Sequence, residues 1–286
     1  MRERTERMLV VTDLDGTLLD DETYDCEAAR PALEALRARG VPLILCSSKT
    51  RAEMEPLAGR LGLDSPLIVE NGGAVVAPAR LLPALPARAR REGDRVVLSL
   101  GTERRELVAT LADVAREAGV AVRFFSQMSQ AEVLALTGLR PDAAALALKR
   151  EYDEPFVVVG ASSHDPALDE RLDGAARARG LRVTRGGRFH HLTGPTDKGR
   201  ALRALVQLSP GLAGAFSIGL GDAANDLPML QAVDRPIVMP RSGGGFDPVL
   251  AATLPHAERA PAPGPGGWAR AVLAVLAGET LPAVAA

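Results

Sequence analysis

The chain has 286 residues, 47% of them hydrophobic and 24% charged, with a formal net charge of −2. That balance excludes wholesale disorder and supplies no basic face for nonspecific nucleic-acid binding. Cys26 and Cys46 are too few for a disulfide framework or a cysteine zinc site, and no apolar run is long enough for a membrane span. The charged start, residues 1–7, lacks the apolar middle of a secretory leader, so a cytoplasmic location is expected, with no membrane partner.

Residues 8–12 (MLVVT) predict a buried strand, with a loop leaving it over 13–20. A helix is expected over 27–39, with Pro31 near its first turn and Gly40 as its stop. Residues 41–46 form a second buried strand, and Thr50 with Glu53 makes a capping box that opens a helix to about Leu61. A third strand, 67–70, runs into Asn71-Gly72-Gly73. Strands alternating with helices predict an α/β fold with a doubly wound parallel-sheet core, whose ligands gather beyond the carboxyl ends of the strands.

Residues 78–93, rich in Pro, Ala and Arg, read as a linker, and a different rhythm follows. Strands are expected at 95–100, 120–125 and 156–160. Helical spacing links Leu107, Leu111, Val114, Ala115 and Ala118, Ser129 with Glu132 opens a short helix, and 168–179 is another. A hairpin over 181–192 turns at Gly186-Gly187. This predicts an inserted α+β cap over 81–193, with the core divided into 1–80 and 194–286. The core rhythm resumes with a helix at 197–208, a strand at 216–219, a helix at 226–233 and a short strand at 237–239. Residues 260–267 (APAPGPGG) read as a flexible joint before a last helix from about Trp268.

The motifs sit where strands end. In Asp13-Leu14-Asp15-Gly16-Thr17, two carboxylates one residue apart can face the same cleft, one to attack phosphorus and one to handle protons. Gly16 lets the backbone bend sharply and approach a ligand. Gly221-Asp222-Ala223-Ala224-Asn225-Asp226 also follows an apolar strand. Asp13 and Asp222 would give Mg²⁺ the two carboxylates it accepts beside phosphate oxygens and water. Asp226, which also suits a helix cap, is expected to support that site from behind. So many negative charges need a cation, and Lys198 supplies one.

Residue scarcity points the same way. Of the 34 basic residues only three are lysine, Lys49, Lys149 and Lys198, and the only asparagines are Asn71 and Asn225. Lysine is a compact point charge where arginine is a wide planar fork, so each survivor is expected to do what its substitute cannot. Ser47-Ser48-Lys49-Thr50 brings hydroxyls and free N–H groups to a helix N-terminus, a ready anion site. Asn71-Gly72-Gly73 suits a tight turn as well as a ligand contact.

In this order the motifs resemble the haloacid dehalogenase superfamily of phosphotransferases, over residues 8 to about 240, with 78–193 matching that group's cap. The resemblance implies Asp13 as nucleophile, Asp15 as general acid and base, and Mg²⁺ held by Asp13, the Asp15 carbonyl and Asp222. Ser47 and Lys198 would bind the transferring phosphate, with Asn225 in support. The acid role needs Asp15 protonated at the outset, which crowding by neighbouring acids is expected to favour.

A narrower resemblance, to the mannosyl-3-phosphoglycerate phosphatase family, is carried by Cys46-Ser47-Ser48-Lys49-Thr50, by KREYDEPF at 149–156 and by Gly186-Gly187-Arg188-Phe189-His190. It implies a small phosphorylated sugar-glycerate as substrate. Ser48, Lys49, Asn71 and Gly72 would meet it from the core, and Lys149, Arg150, Arg188 and His190 from the cap. A general sugar phosphatase or a phosphomannomutase would use the same core. A phospho-accepting signalling module shares the acids and lysine but needs no large insert. Oligomeric state is left open, and residues 1–7 fit no part of the pattern.

Overall fold

The computed structural model of the chain describes residues 7–160, 165–186 and 189–284. Side-chain alternation along the apolar strands dictates a sheet buried on both faces. Val10, Leu43 and Leu45 point to one side, and Leu9, Val11, Ile44 and Cys46 to the other. Strands β1 (Met8–Thr12) and β2 (Leu43–Cys46) pair in parallel, and β3 (Leu67–Val69) extends them. Helix α1 (Arg30–Ala38) buries Ala32, Leu33 and Leu36. Helix α2 (Arg51–Arg60) starts on the expected capping box, Thr50 accepting from the Glu53 N–H and Glu53 from the Thr50 N–H.

The sheet then reverses. Strands β4 (Ala74–Pro78), β5 (Ala89–Glu92) and β6 (Arg95–Ser99) run antiparallel and complete one end of a nine-stranded sheet. Residues 78–93 are therefore not a linker, and the core sheet extends through Ser99, beyond the boundary expected at residue 80. Strand β5 (ARRE) escapes sequence recognition because it is an edge strand with no buried side chain.

Crossing at Gly101–Glu103, the chain builds a second, four-stranded antiparallel sheet from β7 (Val122–Phe124), β8 (Asp153–Val158), β9 (Arg182–Gly186) and β10 (Phe189–Thr193), in the order β7-β8-β10-β9. Helices α3 (Arg104–Glu117) and α6 (Pro166–Arg177) bury Leu107, Leu111, Leu168 and Leu172 against one face. Two short helices, α4 (Gln130–Thr137) and α5 (Pro141–Ala147), form a smaller apolar cluster on the other, with Phe125 and Phe189. The two crossings touch: a Cβ on Gly194 would lie 2.6 Å from the Thr102 nitrogen.

Back in the core, α7 (Lys198–Leu208) leads to β11 (Phe216–Gly221), which pairs in parallel with β1. The helix expected at 226–233 is a 3₁₀ turn followed by the single turn α8 (Leu227–Leu230). Then come β12 (Arg235–Val238), α9 (Pro248–Thr253), β13 (Glu258–Arg259) and α10 (Gly264–Leu276). Residues 260–267 are not a flexible joint. Ala260 is buried and bonded to Val238, and Gly264, Pro265 and Gly267 are the buried start of α10. A Cβ on Gly267 would lie 1.6 Å from the Ala262 carbonyl oxygen, so glycine there serves close packing. Among the described residues, no helix is long and apolar enough to cross a membrane. Residues 1–6, the hairpin-turn residue Gly187 and the expected substrate-binding residue Arg188 lie outside the described residues.

Candidate active site

Parallel pairing carries the carboxyl ends of β1, β2, β3 and β11 to one edge of the sheet. The Asp13 N–H continues the ladder to the Leu220 carbonyl at 2.9 Å. Trp268 Nε1 donates to Thr12 Oγ1 (3.0 Å), which donates to the Asp13 carbonyl (2.7 Å), so α10 fixes the end of β1. Gly16 has φ +72°, and a Cβ on it would lie 2.8 Å from Asp222 Oδ2. Only glycine lets the two acidic loops close on each other.

Lys198 is wholly buried, and its Nζ donates to Asp13 Oδ1 and Asp226 Oδ1, both at 2.6 Å. The other oxygen of Asp226 accepts the Asp222 and Ala223 N–H groups at 3.0 and 3.1 Å. Asp226 thus uses both oxygens to hold the lysine and the loop, while Asp13 and Asp222 keep free lone pairs. Ligand oxygens of all three acids lie within 4.8 Å of one another.

Three carboxylates share one ammonium. Burial, reinforced by Asp226, pushes Asp13 well above the usual carboxylate range, with Lys198 pulling the other way. Burial and Asp226 push Asp222 up to about 7. Burial works against the charge on Lys198, but Asp13 and Asp226 overcome it and raise the lysine well above its ordinary value. The cluster is short of positive charge, and its all-oxygen donor set could hold a hard metal cation.

The loops after β2 and β3 are knitted to this centre. Ser47 is buried, its Oγ accepts the Lys49 N–H at 3.2 Å, and its carbonyl accepts the Asn71 N–H at 3.0 Å. Asn225 Nδ2 donates to Asn71 Oδ1 at 3.1 Å, so the chain's two asparagines join the β3 and β11 loops. Gly72, at φ +96°, packs on the main chain just before Lys198: a Cβ would lie 2.2 Å from the Asp197 carbonyl oxygen. Thr196 Oγ1 donates to the Gly72 carbonyl at 2.9 Å. The structure gives Gly72 a packing role as the seat of Lys198.

Lys49 Nζ lies 2.9 Å from Asp15 Oδ1, close enough to pair but not aligned as a hydrogen bond, and 4.7 Å above the Tyr24 ring. Asp15 thus has a cation against its carboxylate, where the sequence suggests only crowding acids. Asp15, Ser48 and Lys49 line one wall of a cavity of about 190 Å³, and residues from the second sheet and its short helices line the other. Three contacts draw the walls together. Arg150 Nη1 donates to the Ser48 carbonyl (3.2 Å), Thr50 Oγ1 to the Leu146 carbonyl (3.1 Å), and the Glu70 carboxylate accepts the Glu151 and Tyr152 N–H groups (2.9 and 2.8 Å).

Comparison with known proteins agrees with this arrangement. Residues 10–82 match the family of haloacid dehalogenase-like hydrolases. A glucosyl-3-phosphoglycerate/mannosyl-3-phosphoglycerate phosphatase from Methanococcoides burtonii is 38% identical over 93% of this chain and 96% of its own. The chain belongs to that phosphatase family. A second member, from Persephonella marina, is 35% identical over 94% of this chain and 97% of its own. The crystal structure of a haloacid dehalogenase-like hydrolase from Bacteroides thetaiotaomicron superposes with a TM-score of 0.62 at 19% identity, over 94% of this chain and all of that one, and shows the shared fold.

Not every expected residue of the phosphatase reaches the cleft. His190 is buried on the far face of the second sheet, where Nε2 meets Asp169 Oδ1 at 2.7 Å and the ring stacks on Phe156 at 5.3 Å. Its neighbour His191 lines the cavity instead. Successive strand residues face opposite sides, so a one-residue difference exchanges the core of one face for the wall of the other. Lys149 is exposed beyond α5. Tyr24, Glu70 and His191 escape the sequence reading. Scarcity could have found the first: only Tyr24 and Tyr152 occur, and Tyr152 hydrogen-bonds Ser99 Oγ at 2.7 Å beside the crossings.

Proposed function

We propose that this phosphatase removes the phosphate from mannosyl-3-phosphoglycerate, and from its glucosyl counterpart, releasing the hexosylglycerate in the cytoplasm. The observation that carries the reading is the Lys198 bridge to Asp13 and Asp226 at the strand edge, beside a cleft that contains Asp15 and Lys49. The kinship with phosphatases named for these two substrates supports the choice of substrate.

In the proposed cycle, an Asp13 carboxylate oxygen bonds to phosphorus as the bond to the glycerate oxygen breaks, and Asp15 gives that oxygen its proton. Asp15 then takes a proton from water, whose oxygen attacks the acyl phosphate on Asp13 and releases phosphate. Lys198 holds Asp13 and balances charge on the equatorial oxygens. Ser47 binds the phosphate, and Asn225 steadies the loops through Asn71. Asp13, Asp222 and the Asp15 carbonyl would hold Mg²⁺, which when bound supplies positive charge to the phosphate oxygens. Residues from about 102 to 193 act as the cap that closes over the substrate and excludes water from the first step.

Phosphate release should be measured with Mg²⁺ across mannosyl- and glucosyl-3-phosphoglycerate, 3-phosphoglycerate and hexose phosphates. Preference for the first two, loss of activity in chelator and its return with Mg²⁺, and an inactive Asp13→Asn are expected. Equal rates across the panel would overturn the substrate assignment, and phosphate release by Asp13→Asn would overturn the mechanism.

A further inference from the structure

We propose that His191, oriented by the buried carboxylate of Asp153, is the residue of the cleft that recognises a hydroxyl of the substrate's hexose. The proposal rests on the sugar-glycerate reading above and names the group that reads the sugar.

Asp153 is fully buried where β8 begins, and its Oδ2 receives both Arg150 Nη1 (2.7 Å) and His191 Nδ1 (2.8 Å). Burial works to raise Asp153, but the His191 ring and the Arg150 guanidinium outweigh it and hold the carboxylate below the usual range. Toward an ionised carboxylate, Nδ1 must be the donor. That fixes the ring's orientation and leaves Nε2 as its remaining hydrogen-bonding atom. Nε2 has no partner among the described residues, and the ring lies on the cavity wall.

The surroundings identify what Nε2 meets. Around His191 the wall is largely apolar, with Phe125, Phe189, Leu139 and Pro155, and the two phenylalanine rings pack edge to face at 5.6 Å. The nearby charges are already matched, Arg150 by Asp153 and Lys49 by Asp15. An apolar wall with one fixed hydrogen-bonding group suits the mixed face of a sugar ring. The opposite wall, with Asp15, Ser48 and Lys49, is the polar side that leads toward the Asp13 and Lys198 centre.

The test is the ratio of kcat/KM for mannosyl-3-phosphoglycerate to kcat/KM for 3-phosphoglycerate, which lacks the hexose. His191→Phe should lower this ratio roughly 10–100-fold, with the loss mainly in KM for the glycosylated substrate. His191→Gln, which keeps an acceptor, should recover part of it. An unchanged ratio in His191→Phe would overturn the proposal, whether both rates stay the same or fall together. Should Phe prevent folding, His191→Gln and Asp153→Asn carry the same measurement, and neither lowering the ratio would overturn it equally. Failure of the parent reading shows separately, as absence of preference for the glycosylated substrate in the unaltered enzyme.

Discussion

Replacing Gly72 with alanine tests whether catalysis depends on the seat of Lys198. The new Cβ would stand 2.2 Å from the Asp197 carbonyl oxygen, where ordinary contact begins at 3.4 Å, and the residue would keep φ +96°. Relief requires the Asp197 main chain to retreat by about an ångström, and Lys198 is the next residue along. A displacement of about 1 Å in a positioned catalytic group costs on the order of 10²-fold in rate. Overpacking and left-handed strain together should cost roughly 2–4 kcal/mol. At an unfolding entropy of about 0.6 kcal/mol/K for a chain this long, that is a fall in Tm of about 3–7 °C. Gly40→Ala is the control: φ is +62° with nothing within 4 Å, so strain acts there without displacement. It should lower Tm by a few degrees and leave kcat intact. Steady-state phosphate release and thermal unfolding read both variants. If Gly72→Ala keeps kcat within twofold, the seat is not what positions the lysine.

Lys198→Met should cut kcat by roughly 10²–10³-fold and destabilise the fold by about 3–5 kcal/mol, because Asp13 and Asp226 lose their shared cation. Lys198→Arg should not rescue it, since the planar fork is wider than the ammonium it replaces; recovery to within tenfold in the phosphate-release assay would contradict this. Burial, with Asp153 adding to it, pushes Glu70 up to about 7. Its raised value means that its contribution to stability is complete below the ordinary glutamate range, about 4.3, and is lost as pH rises through 7. The Tm of the unaltered enzyme should therefore fall relative to Glu70→Gln between pH 5 and 8, by about 3–7 °C for a stability change on the order of 2–4 kcal/mol; parallel Tm curves would refute it. Gly267→Ala should lower Tm by more than about 5 °C by prising the first turn of α10 from Ala262, and an unchanged melting curve would show that the turn relaxes freely.

The catalytic edge was legible because its signals are local and the sheet does the assembling. Asp13, Ser47 and Asp222 each directly follow a short apolar strand and Asn71 follows another with one residue between, and parallel pairing brings such ends together whatever the chain between them. Scarcity added Lys49, Lys198 and the Asn71–Asn225 contact; Lys149, equally scarce, lies exposed beyond α5. The second sheet was harder. Whether His190 or His191 faces the cleft depends on hairpin register, which no local pattern encodes when the strand reads FHHLT. Edge strand β5 has no apolar face to announce it. The glycines and prolines at 260–267 resemble a hinge in composition, yet they are there because backbone packs on backbone.

The contact between Gly194 and Thr102 has a mechanical consequence. Outgoing and returning chain lie against each other there, so a cap closing about this point would tilt rather than slide sideways. A tilt about one edge moves the opposite rim farthest. The small latches out there, Thr50 to Leu146 and Arg150 to Ser48, therefore have more leverage over the traffic of reactant and product than anything near the pivot.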